Sequence, residues 1–198
     1  MTTFDHETLS RTQRYAGPIF SVFTDKVTMS GGGTAERDVV ENKGAVGVVA
    51  IDDVGRVVLI RQYRHPVRRD LWELPAGLRD VGGEDLVVTA GRELAEETDL
   101  LAGRFDLLVD LHTSPGFSDE TIRLFLARDL SPVPDAERYA RTDEEADIEI
   151  ARFDLDEAVA MVLRGEITNA AAVGGLLSAA RARDDGWATL RPADTPQP

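Results

Sequence analysis

Apolar and polar positions change period several times along the chain, and each change marks an element. Ile19-Phe-Ser-Val-Phe-Thr-Asp-Lys-Val27 alternates as a half-buried strand does. Ser30-Gly-Gly-Gly-Thr34 supplies a turn, and Glu36 to Glu41 is extended again, so residues 15–42 read as a small antiparallel unit after a polar, irregular start over 1–14. Two or three strands alone are marginal in water, so this unit has to pack on something. Ala45-Val-Gly-Val-Val-Ala-Ile51, the turn at Asp52–Gly55 and Val57 to Arg64 form a β-hairpin whose first arm is apolar throughout, as suits the middle of a sheet.

After a short strand at Leu71–Leu74, closed by Pro75-Ala-Gly77, the spacing becomes helical from Glu84 to Leu100, with Val87, Ala90 and Leu94 at i, i+3 and i+7. Phe105–Leu111 and Thr121–Ala127 are strands around the breaker-rich stretch 113–119, and 131–143 is a Pro- and charge-rich loop of the length that tends to carry function. Asp147–Phe153 is a further strand. Asp154 with Glu157 resembles a capping box for a helix to Arg164, Thr168 is placed to cap a last helix through Arg183, and the Pro-rich end from Arg191 reads as frayed. The mixture predicts an α/β (α+β) fold, an α/β/α sandwich around a mixed sheet, organised as 1–43 (strand unit), 44–190 (main domain) and 191–198 (flexible tail).

Composition narrows the functional classes. A chain of 198 residues with 42% apolar positions has enough material for a proper core. It has no cysteine, which removes disulfides, thiolate catalysis and thiolate-ligated metal sites and fits a reducing, cytoplasmic setting. Neither a leader nor a membrane-spanning stretch is apparent, since the longest apolar run is Ala45–Ile51. The balance of 22 Lys and Arg against 36 Asp and Glu gives −14 and a pI near 4.6, which disfavours nucleic acid and anionic membranes as partners. An anionic ligand would therefore need a cation as intermediary or a local arginine cluster, and Arg61, Arg64, Arg68 and Arg69 supply local positive charge.

On the helix from Glu84, the residues Glu93, Glu96 and Glu97 stand at i, i+3 and i+4, one narrow stripe about a right angle from the apolar face. Such a stripe is often only a solvated acidic face. It repels itself and invites a cation, and oxygen ligands without His or Cys point to Mg²⁺ or Mn²⁺.

The context of the stripe decides between these readings. Gly77, six residues, Glu84, seven residues, then Arg92-Glu93-Leu94-Ala95-Glu96-Glu97-Thr98-Asp99-Leu100 resembles the signature of the Nudix hydrolases. Two departures stand out: the first loop is one residue longer than in that signature, and Asp99 occupies the place of its last Gly. Loop length is cheaply tolerated, and Asp is among the few residues with a side chain that visit the left-handed conformation ending a helix. Beyond the box, Gln62-Tyr-Arg64, Leu74 to Gly77, Ser114-Pro-Gly116, Asp143 to Asp147 and Gly165 to Ala170 resemble the ADP-ribose pyrophosphatase branch of that family.

The resemblance implies a Nudix-type sandwich and hydrolysis of ADP-ribose to AMP and ribose 5-phosphate with two or three Mg²⁺ or Mn²⁺ ions. It also implies a homodimer that exchanges the amino-terminal strand unit. By the same comparison the metal is held by Glu93, Glu96, Glu97 and the carbonyl of Ala76, with Glu84 and Arg92 bracing loop and helix or, for Glu84, standing as an outer ligand. Glu144 matches the late-loop carboxylate that activates water, with Glu145 its competitor. Arg64 matches a phosphate contact, Phe20, Arg37 and Asp38 match positions around adenine and ribose, and Glu120 with Leu78 matches positions at the terminal ribose. Two alternatives stay open: a pyrophosphatase of another nucleoside diphosphate sugar, and a non-catalytic ADP-ribose-sensing module. His6, His65 and His112 have no ligand spacing.

Overall fold

The computed structural model describes residues 6–79, 82–141 and 147–197. They fall into two compact units, 1–44 with 112–121, and 45–111 with 122–198.

In the first unit, β1 (Thr8–Ala16), β2 (Phe20–Thr28) and β3 (Thr34–Asn42) form an antiparallel sheet in that order. The strand β1 corrects the expectation of an irregular start. All its residues are exposed, so it has no apolar alternation to betray it, and its ladder to β2 and the bonds from Arg11 to Asp25 hold it instead. The stretch 112–121 joins this unit through Val40, whose N–H donates to Phe117 O at 2.8 Å and whose carbonyl accepts from Asp119 N at 3.2 Å.

The second unit is built on a mixed sheet. Its strands are β4 (Ala45–Ile51), β5 (Arg56–Arg64), β6 (Arg69–Glu73), β7 (Ala76–Leu78), β8 (Leu100–His112), β9 (Thr121–Pro132), β10 (Glu149–Asp154) and β11 (Arg191–Pro192). The order is β10-β5-β4-β9-β8-β11, with β6 beside β5 and β7 beside β4; β4 and β9 run parallel. The all-apolar β4 is central because it is buried on both faces. Val46, Val48 and Ala50 meet Ala90 and Leu94 of α1 (Leu86–Thr98), while Val49 and Ile51 join the cluster formed with α2 (Leu155–Leu163) and α3 (Ala170–Asp184). The result is the expected α/β/α sandwich, with one helix on one face and two on the other.

Close approach of α3 to the sheet depends on a missing side chain. A Cβ on Gly175 would lie 2.8 Å from Leu74 Cδ1 and 2.9 Å from Val49 Cγ2. The cap of α3 is Asn169, not Thr168; Asn169 Oδ1 accepts from Ala172 N at 3.0 Å, one residue later than the pattern suggests. Asp154 caps α2 as expected, accepting from Asp156 N, whereas Glu157 pairs with Arg164. The end from Arg191 is not splayed from the body. Arg191 and Pro192 pair with Leu107 and Asp106, and the buried Arg123, fixed by Asp110, donates to the carbonyls of Thr195 and Pro196. No helix is long and apolar enough to cross a membrane among the described residues.

Candidate active site

The site begins with two elements that meet because one of them lacks side chains. Strand β7 lies antiparallel on β4, with Gly77 opposite Val46 and Ala76 opposite Gly47. Helix α1, pinned to the same sheet face by Ala90 and Leu94, turns its Glu stripe towards β7. A Cβ on Gly77 would fall 2.0 Å from Glu93 Cδ and 2.3–2.4 Å from its oxygens, so the carboxylate of Glu93 occupies the space that any side chain at 77 would need. Next to it, Ala76 N–H donates to Glu97 Oε2 at 2.9 Å. Glu93 and Glu97 are 9% and 5% exposed, a degree of burial that an ordinary solvated acidic face does not have.

Arg92 is the counter-ion within this group. Its Nη1 donates to Glu93 Oε1 at 2.7 Å and Glu96 Oε2 at 3.2 Å, and its Nη2 reaches Glu84 Oε2 at 3.4 Å, which also accepts from Thr89 Oγ1 at 2.7 Å. Burial alone would lower the guanidinium's affinity for its proton. The charges of Glu93, Glu96 and Glu84 and the hydrogen bond to Glu84 outweigh it, so Arg92 is held above its ordinary pKa. Arg92 and Glu84 thus brace the helix and the loop that precedes it.

The donor set here, three carboxylates and a strand carbonyl, fits a hard divalent cation. In the arrangement seen, Arg92 gathers two of those carboxylates. Among the described residues no three acidic or histidine side chains already stand as a cage for a metal ion.

Arg64, at the end of β5, donates to Glu73 through Nε at 3.0 and 3.2 Å and Nη2 at 2.7 Å, and Gln62 Nε2 approaches the same carboxylate at 3.4 Å. Glu73 is 3% exposed, while the Arg64 side chain remains 43% exposed, so a buried acid aims a fork that stays open to solvent. Glu73 is missed by motif reasoning. The signal that could have found it is an acid lodged between apolar residues in Leu71-Trp-Glu-Leu74. Arg61, one pleat before Gln62, instead lies over the Trp72 ring at 5.8 Å and pairs with Glu149, whereas Arg68 and Arg69 are exposed.

The remaining candidates divide by unit. Leu78 closes β7 opposite Ala45, half-buried. In the first unit, Phe20 is exposed against Tyr15, with ring centroids 5.6 Å apart, and helps line a cavity of about 290 Å³ with Gly17, Pro18, Glu41, Asn42 and Asp119. Arg37 and Asp38 are successive on β3 and so point to opposite faces; Arg37 Nη1 donates to Glu36 O, and Asp38 accepts from Thr24 Oγ1 at 2.7 Å. Glu120 has both oxygens engaged, one by Asn42 Nδ2 at 3.0 Å and one by Thr113 Oγ1 at 2.5 Å. The structure therefore brings Ala76, Glu84, Arg92, Glu93, Glu96 and Glu97 together, and Glu144 and Glu145 lie outside the described residues.

The NUDIX domain model matches residues 41–173. The chain is 48% identical over 195 residues to the ADP-ribose pyrophosphatase of Mycobacterium tuberculosis (strain ATCC 25618 / H37Rv), covering 98% of this chain and 92% of that one. It is 32% identical to the ADP-ribose pyrophosphatase of Bacillus subtilis (strain 168), over 86% of this chain and 90% of the relative. Among solved structures, one described as an ADP compounds hydrolase superposes with a TM-score of 0.79 at 22% identity, over 94% of this chain and 98% of that one.

Proposed function

The chain belongs to the NUDIX family, and from that premise we propose that it hydrolyses the pyrophosphate of ADP-ribose to AMP and ribose 5-phosphate with Mg²⁺ or Mn²⁺. The observation that carries this reading is the burial of Glu93 and Glu97 against Gly77 and Ala76, on a chain nearly half identical to an ADP-ribose pyrophosphatase over nearly all of its length. Glu93, Glu96, Glu97 and the Ala76 carbonyl would hold two or three ions. When bound, such ions neutralise pyrophosphate charge and make a water more acidic at neutral pH.

The chain's own groups do the rest. Glu144, ahead of Glu145, takes the proton of the attacking water as its oxygen bonds to a phosphorus and the bridging phosphorus–oxygen bond breaks. The fork of Arg64, held by Glu73, meets the phosphate oxygens on which charge accumulates. Arg92 keeps Glu84 as a partner and so braces loop and helix when Glu93 and Glu96 turn to a cation. Phe20, Arg37 and Asp38 serve the adenosine end, Leu78 and Glu120 the terminal ribose, with Glu120 exchanging Asn42 or Thr113 for the ribose hydroxyls. The exposed face of β1 and the cavity beside Phe20 suit a second copy, and we assign the enzyme as a cytoplasmic homodimer.

A substrate panel tests the assignment. ADP-ribose is expected to be cleaved in preference to GDP-mannose and other nucleoside diphosphate sugars at equal concentration. Preference for another nucleotide sugar would move the substrate within the family, and tight binding of ADP-ribose without turnover would replace the enzyme by a sensor.

A further inference from the structure

Helix α1 has no basic residue in its last turn, and it ends at Asp99 with φ 56 and ψ 33, where Asp replaces the Gly of the family signature. A residue with a side chain carries a steric penalty in that conformation that Gly does not. The structure shows what the carboxylate does in return. Arg141 Nη2 donates to Asp99 Oδ2 at 2.6 Å, and Nε of the same guanidinium donates to the carbonyl of Glu96 at 2.9 Å.

Glu96 O is one of the last four helix carbonyls, which lack intrahelical donors; that of Ala95 is met by Asp99 N–H at 3.0 Å, and that of Glu96 by Arg141. A guanidinium here also meets the negative end of the helix dipole. Asp99 is fixed from a further side, its carbonyl accepting from Val133 N at 2.9 Å. Glu96 is consequently held by two arginines, its carboxylate by Arg92 and its backbone by Arg141.

Arg141 stands three residues before Glu144, a span of about 11 Å at full extension. We propose that Asp99 and Arg141 are a positioning pair for the hydrolysis, fastening the start of the segment that bears the base to the helix that bears the metal carboxylates. This rests on the reading of Glu144 as base. With Gly at 99 the guanidinium keeps only the Glu96 carbonyl and loses its charged acceptor, so the Asp at this position couples two parts of the site that the family signature leaves unlinked by that residue.

The test uses Asp99→Gly, because a cap and a positioning role predict opposite results for it. Gly relieves the left-handed backbone, so Tm is expected to hold or rise. If Asp99 positions the loop, kcat falls about tenfold or more while KM for ADP-ribose stays within about twofold. Arg141→Ala should give the same split, and Arg141→Lys an intermediate kcat, since an ammonium lacks the fork that reaches both acceptors. In the double variant Arg141→Ala/Glu144→Gln, the loss should be no larger than in Glu144→Gln alone. Wild-type kcat in both Asp99→Gly and Arg141→Ala overturns the proposal, as does a loss that only follows the unfolded fraction at the assay temperature. Wild-type turnover by Glu144→Gln refutes the base assignment by itself, and the single variants at 99 and 141 still decide the pair by their own kcat.

Discussion

Gly77→Ala adds one carbon atom to the place where the Glu93 carboxylate lies. The backbone at 77 is not left-handed, so the glycine is there for space rather than for φ. The new Cβ would start 2.0 Å from Glu93 Cδ; reaching ordinary contact near 3.4 Å displaces the carboxylate by about 1.4 Å. Overpacking of this kind costs about 1–3 kcal/mol. Stiffening of the unfolded chain by Ala offsets about 0.4–1 kcal/mol. The net loss, about 0–2.6 kcal/mol, corresponds to a Tm lower by up to about 10 °C in a chain of this size. Catalysis should suffer far more, because a misplacement of about 1 Å in a positioning group can cost about a hundredfold in rate. The assay is AMP release from ADP-ribose at saturating Mg²⁺, with Tm by differential scanning calorimetry. A folded Gly77→Ala enzyme with wild-type kcat would refute the placement of the Glu93 carboxylate against β7.

Three other perturbations test separate parts of the account. Glu73→Gln removes the charge that aims Arg64, and KM for ADP-ribose should rise about tenfold with kcat changing much less; an unchanged KM would dissociate Glu73 from substrate binding. Burial would raise the Asp106 carboxyl, but Arg104 and Arg128 outweigh it and hold it below the usual carboxylate range, as Arg11 does for Asp25. Groups depressed in the folded state contribute stability above their unfolded pKa of about 4 and lose it as pH falls through the folded value. The urea midpoint should therefore drop between pH 5 and pH 3, and drop less in Asp106→Asn; equal drops would contradict the assignment. Asn169→Ala deletes the cap of α3 and should lower stability by about 1 kcal/mol, read by urea denaturation, whereas Thr168→Ala should leave it nearly unchanged.

Periodicity made the second unit legible because its elements bury one face each. Val87, Ala90 and Leu94 announce α1, and the unbroken apolar run of β4 announces a central strand. Strand β1 was invisible for the complementary reason: no residue from Thr8 to Ala16 is buried, and backbone pairing leaves no trace in side-chain pattern. Within the site, spacing placed Glu93, Glu96 and Glu97 on one stripe but could not say that Glu93 rests on Gly77, which depends on how far β7 lies from α1. Glu73 and the Asp99–Arg141 contact join residues distant in sequence, and no local period encodes them. The C-terminal stretch misled because its prolines signal loose chain, while the buried Arg123 accepts no disorder in its carbonyl partners without losing hydrogen bonds in an apolar setting.

The most direct test of the central claim is the initial rate of AMP formation from ADP-ribose with Mg²⁺, compared between the native chain and Glu97→Gln. Glu97→Gln keeps an acceptor for Ala76 N–H and so keeps the fold, but it removes a charged ligand. The account predicts rapid AMP release by the native protein and a loss of at least about a hundredfold in the variant at unchanged Tm. Equal rates in the two proteins would contradict it, and so would a native chain that releases no AMP.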